Sequence, residues 1–133
     1  MPRERTSAEA IAHAFIDAFN RRDAEGLVAL AHPDIEWRPS RLAGVGEVYH
    51  GHDGLRRWLE DLRVSRVQHQ ARVREVRAFD ESRFAVISEV LLEGEPVTPS
   101  AMVARLSDAG TIIDARAYLS DEQLLERLGL VPE

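Results

Sequence analysis

Residues 111–120 read Thr-Ile-Ile-Asp-Ala-Arg-Ala-Tyr-Leu-Ser, and the alternation of small or apolar with polar side chains is typical of a β-strand. Successive side chains of a strand point to opposite faces. One face of this strand therefore carries Ala115, Ala117 and Leu119. The other face carries Asp114, Arg116 and Tyr118. If the polar face lines the interior, the protein holds an acid/base cluster; if the alanine face does, it holds an apolar cavity.

Three further strand-like runs precede this stretch, at residues 70–79, 83–92 and 98–107. The connections between the runs are short and contain Asp, Ser, Gly and Pro, which favour hairpins. The alternation slips between Val73 and Val76, which predicts a β-bulge. The second half of the chain therefore predicts an antiparallel meander of four strands.

The first half has the apolar spacing of amphipathic helices. The capping-box pattern Thr6-x-x-Glu9 predicts a first helix that begins near Ser7. Asp23 occupies the position of an N-cap for a short second helix, and Asp53 that of a cap for a third.

Shorter elements complete the pattern. Strands are predicted at residues 35–38 and 48–50, with a loop between them at 40–47. A second capping-box pattern at 120–123 predicts a short C-terminal helix that ends at Gly129. Helices followed by a meander predict an α+β domain with helices packed on one face of the sheet.

Composition narrows the class of protein. The chain has 133 residues, 44% of them hydrophobic, which suits a single domain spanning residues 1–133. It has no cysteine and no lysine, which excludes disulfides, thiolate metal sites and a lysine Schiff base. A net charge of −6 argues against a nucleic-acid partner. Without a membrane-spanning run or a signal-peptide pattern, we expect a cytoplasmic protein with no membrane partner.

Four blocks of sequence, in this order, resemble the nuclear transport factor 2-like superfamily and, within it, the SnoaL-like proteins. The blocks are Ala-Phe-Ile-Asp-Ala-Phe-Asn at 14–20 followed by Asp23 and 27–30, His-Pro-Asp-Ile-Glu-Trp at 32–37, Tyr-His-Gly-His-Asp-Gly-Leu at 49–55, and 108–113 ending in Tyr-Leu-Ser-Asp at 118–121. The resemblance implies a ketosteroid isomerase-like fold: a strongly curved antiparallel sheet wrapped around three N-terminal helices, with a conical pocket. It also implies a homodimer formed through the convex face of the sheet.

The catalytic residues of known branches do not carry over. Ketosteroid isomerases use a tyrosine on the first helix and two carboxyl groups on strands, and the matching positions here are Phe15, Pro39 and Met102. The epoxide hydrolase and polyketide cyclase branches place an aspartate inward on the last strand, where this chain has Ala117. The resemblance thus implies a polyketide cyclase-like fold without a recognisable catalytic set of either kind.

The same matches imply that the alanine face of residues 111–120 looks into the pocket. The expected ligand-binding residues are then Phe15, Trp37, Tyr49, Trp58, Ser88, Met102, Ala117 and Leu119. Asp114 would lie on the convex face, and Glu89 would pair there with an arginine such as Arg105 or Arg116, because a buried unpaired carboxylate is costly.

Weak catalytic candidates remain: Tyr49, His50, Glu89 and Asp114. His50 and His52 have a spacing found in metal sites, but no third ligand is placed to complete one, so no metal and no cofactor are expected. His13, His32 and His69 are expected at the surface.

Two functions follow. The first is an apolar pocket that binds a small hydrophobic, cyclic or aromatic molecule, held by aromatic side chains and oriented by Ser88 or Tyr49. The alternative is an isomerase, cyclase or hydrolase of a hydrophobic metabolite, which requires one of the four catalytic candidates to enter the pocket. A purely structural interaction module is a third reading, supported only by the absence of a visible site.

Overall fold

The computed structural model describes the backbone of residues 3–39 and 48–119 and the side chains of residues 8–39 and 48–118. The helices within these residues are α1 (Arg3–Arg21), α2 (Ala24–Leu30) and α3 (Gly51–Val64). The strands are β1 (Ala31–Arg38), β2 (Tyr49–His50), β3 (Gln70–Ala78), β4 (Arg83–Leu92), β5 (Glu95–Leu106) and β6 (Ile112–Leu119). The predicted loop at 40–47 and the predicted C-terminal helix lie outside the described residues.

Helix α1 ends at Arg21, and the residue that follows it, Arg22, has a left-handed backbone conformation with φ of 55°. Its backbone N–H donates to Phe19 O at 3.0 Å, and the N–H of Asp23 donates to Ala18 O at 2.8 Å. These two bonds form a Schellman motif, which usually has glycine at this position. Asp23 then caps α2 as predicted, because its carboxylate accepts the N–H of Gly26 at 3.0 Å.

Two helices begin earlier than predicted. The first starts at Arg3 instead of Ser7, since arginine and glutamate are good helix formers and extend a helix past a capping signature. The third starts at Gly51, so Asp53 lies in its first turn rather than at its cap. There the Asp53 carboxylate accepts a hydrogen bond from Arg56 Nη1 at 2.7 Å.

The six strands form one open sheet in the order β2-β1-β6-β5-β4-β3. The α+β class is confirmed, but the sheet is mixed and not antiparallel throughout, because β1 and β6 run parallel. A parallel pair needs a long connection, and the whole segment from β2 to β5 provides it. The predicted bulge is present in β3, where the register shifts between Val73 and Glu75. Strands β1 and β5 begin before the predicted residues 35 and 98.

The last strand turns its alanine face to the helices. Ala115 is fully buried in the main core, and Ala117 packs against that core beside Met102. Asp114 lies on the opposite face, opposite Arg105 of β5. The interior face of the sheet is therefore the one that the resemblance implied.

The opposite face of the sheet, called the outer face below, carries a second, smaller apolar cluster of Ala85, Ile87 and Ala101, with Val103 beside them. The outer face also carries charged residues of β3 to β6, among them Arg72, Glu89, Arg105 and Asp114. None of the helices in the described ranges is long and apolar enough to cross a membrane.

Candidate functional site

Four aromatic rings form a continuous row between the helices and the sheet. Trp37 of β1 contacts Phe15 of α1 edge-on, with ring centroids 5.4 Å apart, and Trp58 of α3 with centroids 5.0 Å apart. Trp58 in turn stacks on Phe19 at 5.5 Å. Each ring is at most 7% exposed, so the row is a fixed wall, since offset and edge-on aromatic pairs stabilise one another beyond simple burial.

A cavity opens beside this row. Its volume is about 70 Å³. The described residues that line it are Phe15, Ile16, Phe19, Trp37, Trp58, His69, Gln70, Ala71, Ser88, Val90, Ser100, Ala101, Met102 and Ala117. No aspartate, glutamate or arginine occurs among them, so the described part of the lining is neutral apart from one histidine.

The polar groups of the cavity fall into two kinds. Ser88 Oγ and Ser100 Oγ are 2.7 Å apart on neighbouring strands and share one hydrogen bond, in which either can be the donor. Trp37 Nε1 and His69 Nδ1 are buried and have no hydrogen-bond partner, and they are the two such side-chain atoms in the described part of the chain. Buried polar atoms are nearly always paired, so two exceptions in the lining of one cavity set it apart from the remaining core.

Two side chains at the C-terminal end of α1 hold residues 67–71 in place. This segment brings His69 to the cavity. Arg22 donates from Nη2 to the carbonyl oxygens of Val67 and His69 at 3.0 and 2.8 Å. The Asn20 amide donates to Ala71 O and accepts from Ala71 N, both at 2.8 Å. The polar residues that end the helix therefore also hold residues 67–71 against it.

Most of the expected ligand-binding residues come together here. Phe15, Trp37, Trp58, Ser88, Met102 and Ala117 all line the cavity. The side chain of Leu119 lies outside the described residues. His69 was expected at the surface and instead lines the cavity; its position depends on contacts with α1 that no local pattern signals.

The structure places Tyr49 elsewhere. Its side chain is fully buried, yet it is not among the described residues that line the cavity. Its hydroxyl donates to Asp61 Oδ2 at 2.6 Å, and the Arg57 guanidinium lies 5.1 Å from the ring centroid. Its neighbour His50 is exposed at the edge of the sheet.

The two acidic candidates lie on the outer face. Glu89 accepts a hydrogen bond from Arg72 at 2.6 Å, with Arg74 Nη1 3.4 Å away. The bond from Arg72 is the main reason that the pKa of the Glu89 carboxyl falls below its ordinary value. The predicted partner of Glu89 was an arginine such as Arg105 or Arg116, and this choice was wrong. Arg72 is the partner, because the register of β3 and β4 places it directly opposite Glu89. Asp114 is 4.0 Å from Arg105 and half-exposed.

The histidines near α3 do not assemble a metal site in the described residues. No group of three His, Cys, Asp or Glu side chains that could hold an ion occurs in the described ranges. His52 instead contacts the carbonyl oxygen of Ala31 through Nε2 at 2.9 Å.

The family model of the SnoaL-like domain matches residues 12–116. This match spans most of the chain, so the chain belongs to the SnoaL-like family. No curated protein matches the sequence.

Solved structures share the fold at low sequence identity. A SnoaL-like protein from Agrobacterium tumefaciens str. C58 superposes with a TM-score of 0.72 at 14% identity, covering 86% of this chain and 98% of its own. RV0760c from Mycobacterium tuberculosis, in complex with estradiol-17beta-hemisuccinate, gives 0.65 at 18%, covering 84% and 92%. A computationally designed 17-OHP binder gives 0.63 at 18%, covering 84% and 89%. At these identities the likeness establishes the fold alone.

Proposed function

We propose that this member of the SnoaL-like family acts as a single domain. In the cavity beside Trp37 it binds a small hydrophobic molecule that contains a ring. The observation that carries the proposal is the lining: aromatic and small apolar side chains with few polar atoms and no carboxylate or arginine in the described residues. Small-molecule sites have this composition, in which apolar walls supply affinity and a few polar groups set orientation.

The walls of the cavity favour a flat ring. Aromatic side chains form one wall, and small side chains such as Ala71 and Ala117 leave room beside them. Two structures of this fold were made with or for ring-containing molecules, estradiol-17beta-hemisuccinate and 17-OHP. These likenesses support a ring-containing ligand for this chain.

Tryptophan fluorescence tests the proposal directly, because both tryptophans of the chain line the cavity. Titration with indane and naphthalene should give saturable changes in emission, with a Kd on the order of micromolar to tens of micromolar for ligands of this size. The control is Val97→Ala, at a half-exposed position on the β4–β5 hairpin, which should bind as the wild type does. A linear, unsaturable response from every ring compound would overturn the proposal.

A second candidate function, general acid/base catalysis by an isomerase, cyclase or hydrolase, is favoured by one observation. His69 lines the cavity with Nδ1 unpaired, and histidine is the side chain most often used for proton transfer near neutral pH. In D₂O the protein should then speed the exchange of a carbon-bound proton next to the carbonyl of 1-indanone for deuterium from the solvent. His69 takes up the proton, and a deuteron then returns to the same carbon atom. His69→Gln should abolish the exchange and retain binding; equal rates in both proteins would exclude this candidate.

The quaternary structure is part of the proposal. We expect a homodimer through the outer face, where the cluster around Ile87 and the paired charges of Glu89 offer both apolar and polar contacts. Light scattering should give twice the 15.0 kDa of one chain, and Val103→Glu should give monomers, whereas Val97→Glu should not. A wild-type mass of one chain at 100 µM would contradict it. A cytoplasmic location belongs to the same proposal and is checked by cell fractionation.

A further inference from the structure

We infer that the ligand of this cavity is a neutral ring compound with a hydrogen-bond acceptor, such as a cyclic ketone, and that the Trp37 indole N–H binds that acceptor. The inference rests on the proposed function, because it names the chemistry of the ligand for the same cavity. Its starting point is the Trp37 side chain, which is 3% exposed, lines the cavity and has Nε1 without a partner.

An indole N–H can only donate. When it is buried without an acceptor, the protein bears the full cost of removing the group from water. A phenylalanine would supply a similar ring at this position without that cost. The N–H of Trp37 therefore needs an acceptor, and among the described residues no protein atom supplies one.

The ring of Trp37 is held in place on several sides. Phe15 and Trp58 pack edge-on against it. Its backbone pairs with Tyr49 on one side and Ala115 on the other, because β1 lies between β2 and β6. A ring fixed in this way has little freedom to seek another acceptor, so the acceptor has to come to the donor.

The remaining polar groups define the charge of the ligand. The hydroxyl groups of Ser88 and Ser100 share one hydrogen bond, and His69 offers one unpaired nitrogen. No aspartate, glutamate or arginine occurs among the described lining residues. Against the described part of the lining, a charged ligand would be buried without a counter-charge, which costs far more than burying a neutral carbonyl that accepts one hydrogen bond.

The test compares two ligands of the same shape, indane and 1-indanone, which differ by one carbonyl oxygen. In protein labelled with ¹⁵N at tryptophan, 1-indanone should move the Trp37 Nε1–H proton resonance downfield, whereas indane should leave it nearly unmoved. The two indole signals are assigned by the loss of one of them in Trp37→Phe. Trp58→Phe gives the same assignment through the loss of the other signal, so the shift, measured in the wild-type protein, remains decisive if one of the two variants folds poorly.

Affinities supply the second measurement. Trp37→Phe should weaken 1-indanone binding about five- to tenfold more than it weakens indane binding, because only the ketone loses a hydrogen bond, and this factor is the usual worth of one. Trp58→Phe, which also changes an indole in the lining, should affect both ligands by the same factor. If both ligands bind equally well and the Trp37 signal stays in place, the inference is wrong although the proposed function stands. If neither ligand binds, the proposed function itself fails.

Discussion

The serine pair of the cavity shows how single polar residues are placed within an apolar site. Ser88 and Ser100 are 5% and 9% exposed, and their hydroxyl groups lie 2.7 Å apart on β4 and β5. Each hydroxyl is the other's partner, so replacing one leaves the other buried and unpaired, whereas replacing both removes the polar pair altogether.

A double-mutant cycle at this pair should therefore show strong coupling. Ser88→Ala and Ser100→Ala should each lower the free energy of unfolding by about 1 kcal/mol, and the double variant should lose clearly less than the sum. Urea unfolding followed by circular dichroism measures all four proteins. The control cycle is Ser107 and Thr111, whose hydroxyl groups are 2.8 Å apart but only partly buried; its coupling should be smaller. Additive losses at Ser88 and Ser100 would contradict the mutual pairing.

At the scale of elements, Asn20 joins the end of α1 to the edge strand β3. Its amide makes two 2.8 Å hydrogen bonds with the backbone of Ala71, as a further strand would. Asn20→Ala should therefore lower the free energy of unfolding by about 1–3 kcal/mol and speed hydrogen exchange of the Ala71 amide. Binding of 1-indanone should also weaken, because Gln70 and Ala71 line the cavity.

Asp17, one turn earlier on the same helix, is the matched control for Asn20. It makes an exposed ion pair with Arg21, and such pairs contribute at most about 0.5 kcal/mol. Asp17→Ala should leave both the exchange of the Ala71 amide and ligand binding unchanged. Equal effects of the two substitutions would show that the Asn20 bonds do not hold the strand.

The hairpin between β3 and β4 should give the protein part of its acid sensitivity. Asp80 accepts hydrogen bonds from the backbone N–H groups of Ser82 and Arg83, both at 2.8 Å. These bonds and that of the Arg83 side chain lower the pKa of Asp80 from 3.8 to about 2. Because the folded protein holds the proton less tightly than the unfolded chain, this stabilisation is complete above pH 4 and disappears as the pH falls towards 2.

Asp80→Asn should accordingly flatten the dependence of the urea midpoint on pH between 4 and 2. Ser82→Ala is the control, because it removes only the hydroxyl contact to Asp80 and keeps both backbone donors; its pH dependence should resemble that of the wild type. A variant at Asp80 that follows the wild-type curve throughout this range would contradict the assignment.

Sequence predicts the parts of this site that lie on regular elements. The period of two in β6 separates Ala117 from Asp114, and the resemblance identifies the alanine face as the inner one. Such patterns do not predict contacts between segments that are far apart in the chain. His69 reaches the cavity through the bond from Arg22, 47 residues earlier in the chain. Likewise, nothing local indicates that the Tyr49 hydroxyl bonds Asp61 and not a ligand.

The same distinction holds for the whole sheet. Each hairpin of the meander has its own turn signal, so the antiparallel order of β3 to β6 is readable from the sequence. No turn connects β1 with β6, which pair in parallel. Their pairing depends on how α3 and the strands β3 to β5 pack, because these elements lie between them in the chain. That pairing places Ala115 beside Trp37 and so brings Trp37 to the strand that carries Ala117, which is a property of the folded molecule and of no single segment.

At the scale of the whole molecule, the cavity is space that the core leaves unfilled, and β6 offers a matched pair of positions to test it. Ala117 lines the cavity, whereas Ala115, two residues earlier on the same face, is fully buried in the packed core. Ala117→Leu should fill the space, raise the free energy of unfolding by about 1–2 kcal/mol at roughly 0.8 kcal/mol per buried methylene, and abolish binding of 1-indanone. Urea unfolding and the fluorescence titration measure the two effects.

Ala115→Leu should instead destabilise the protein by about 1–3 kcal/mol, because a close-packed core has no room for three more carbon atoms. The change in the free energy of unfolding should therefore have opposite signs for the two leucine variants, and this difference distinguishes a ligand cavity from ordinary loose packing. Equal destabilisation by both leucines would mean that the space beside Ala117 cannot accept added atoms. Wild-type affinity for 1-indanone in Ala117→Leu would place the ligand elsewhere. A gain in stability together with a loss of binding would show that the protein gives up stability to keep this space open for a ligand.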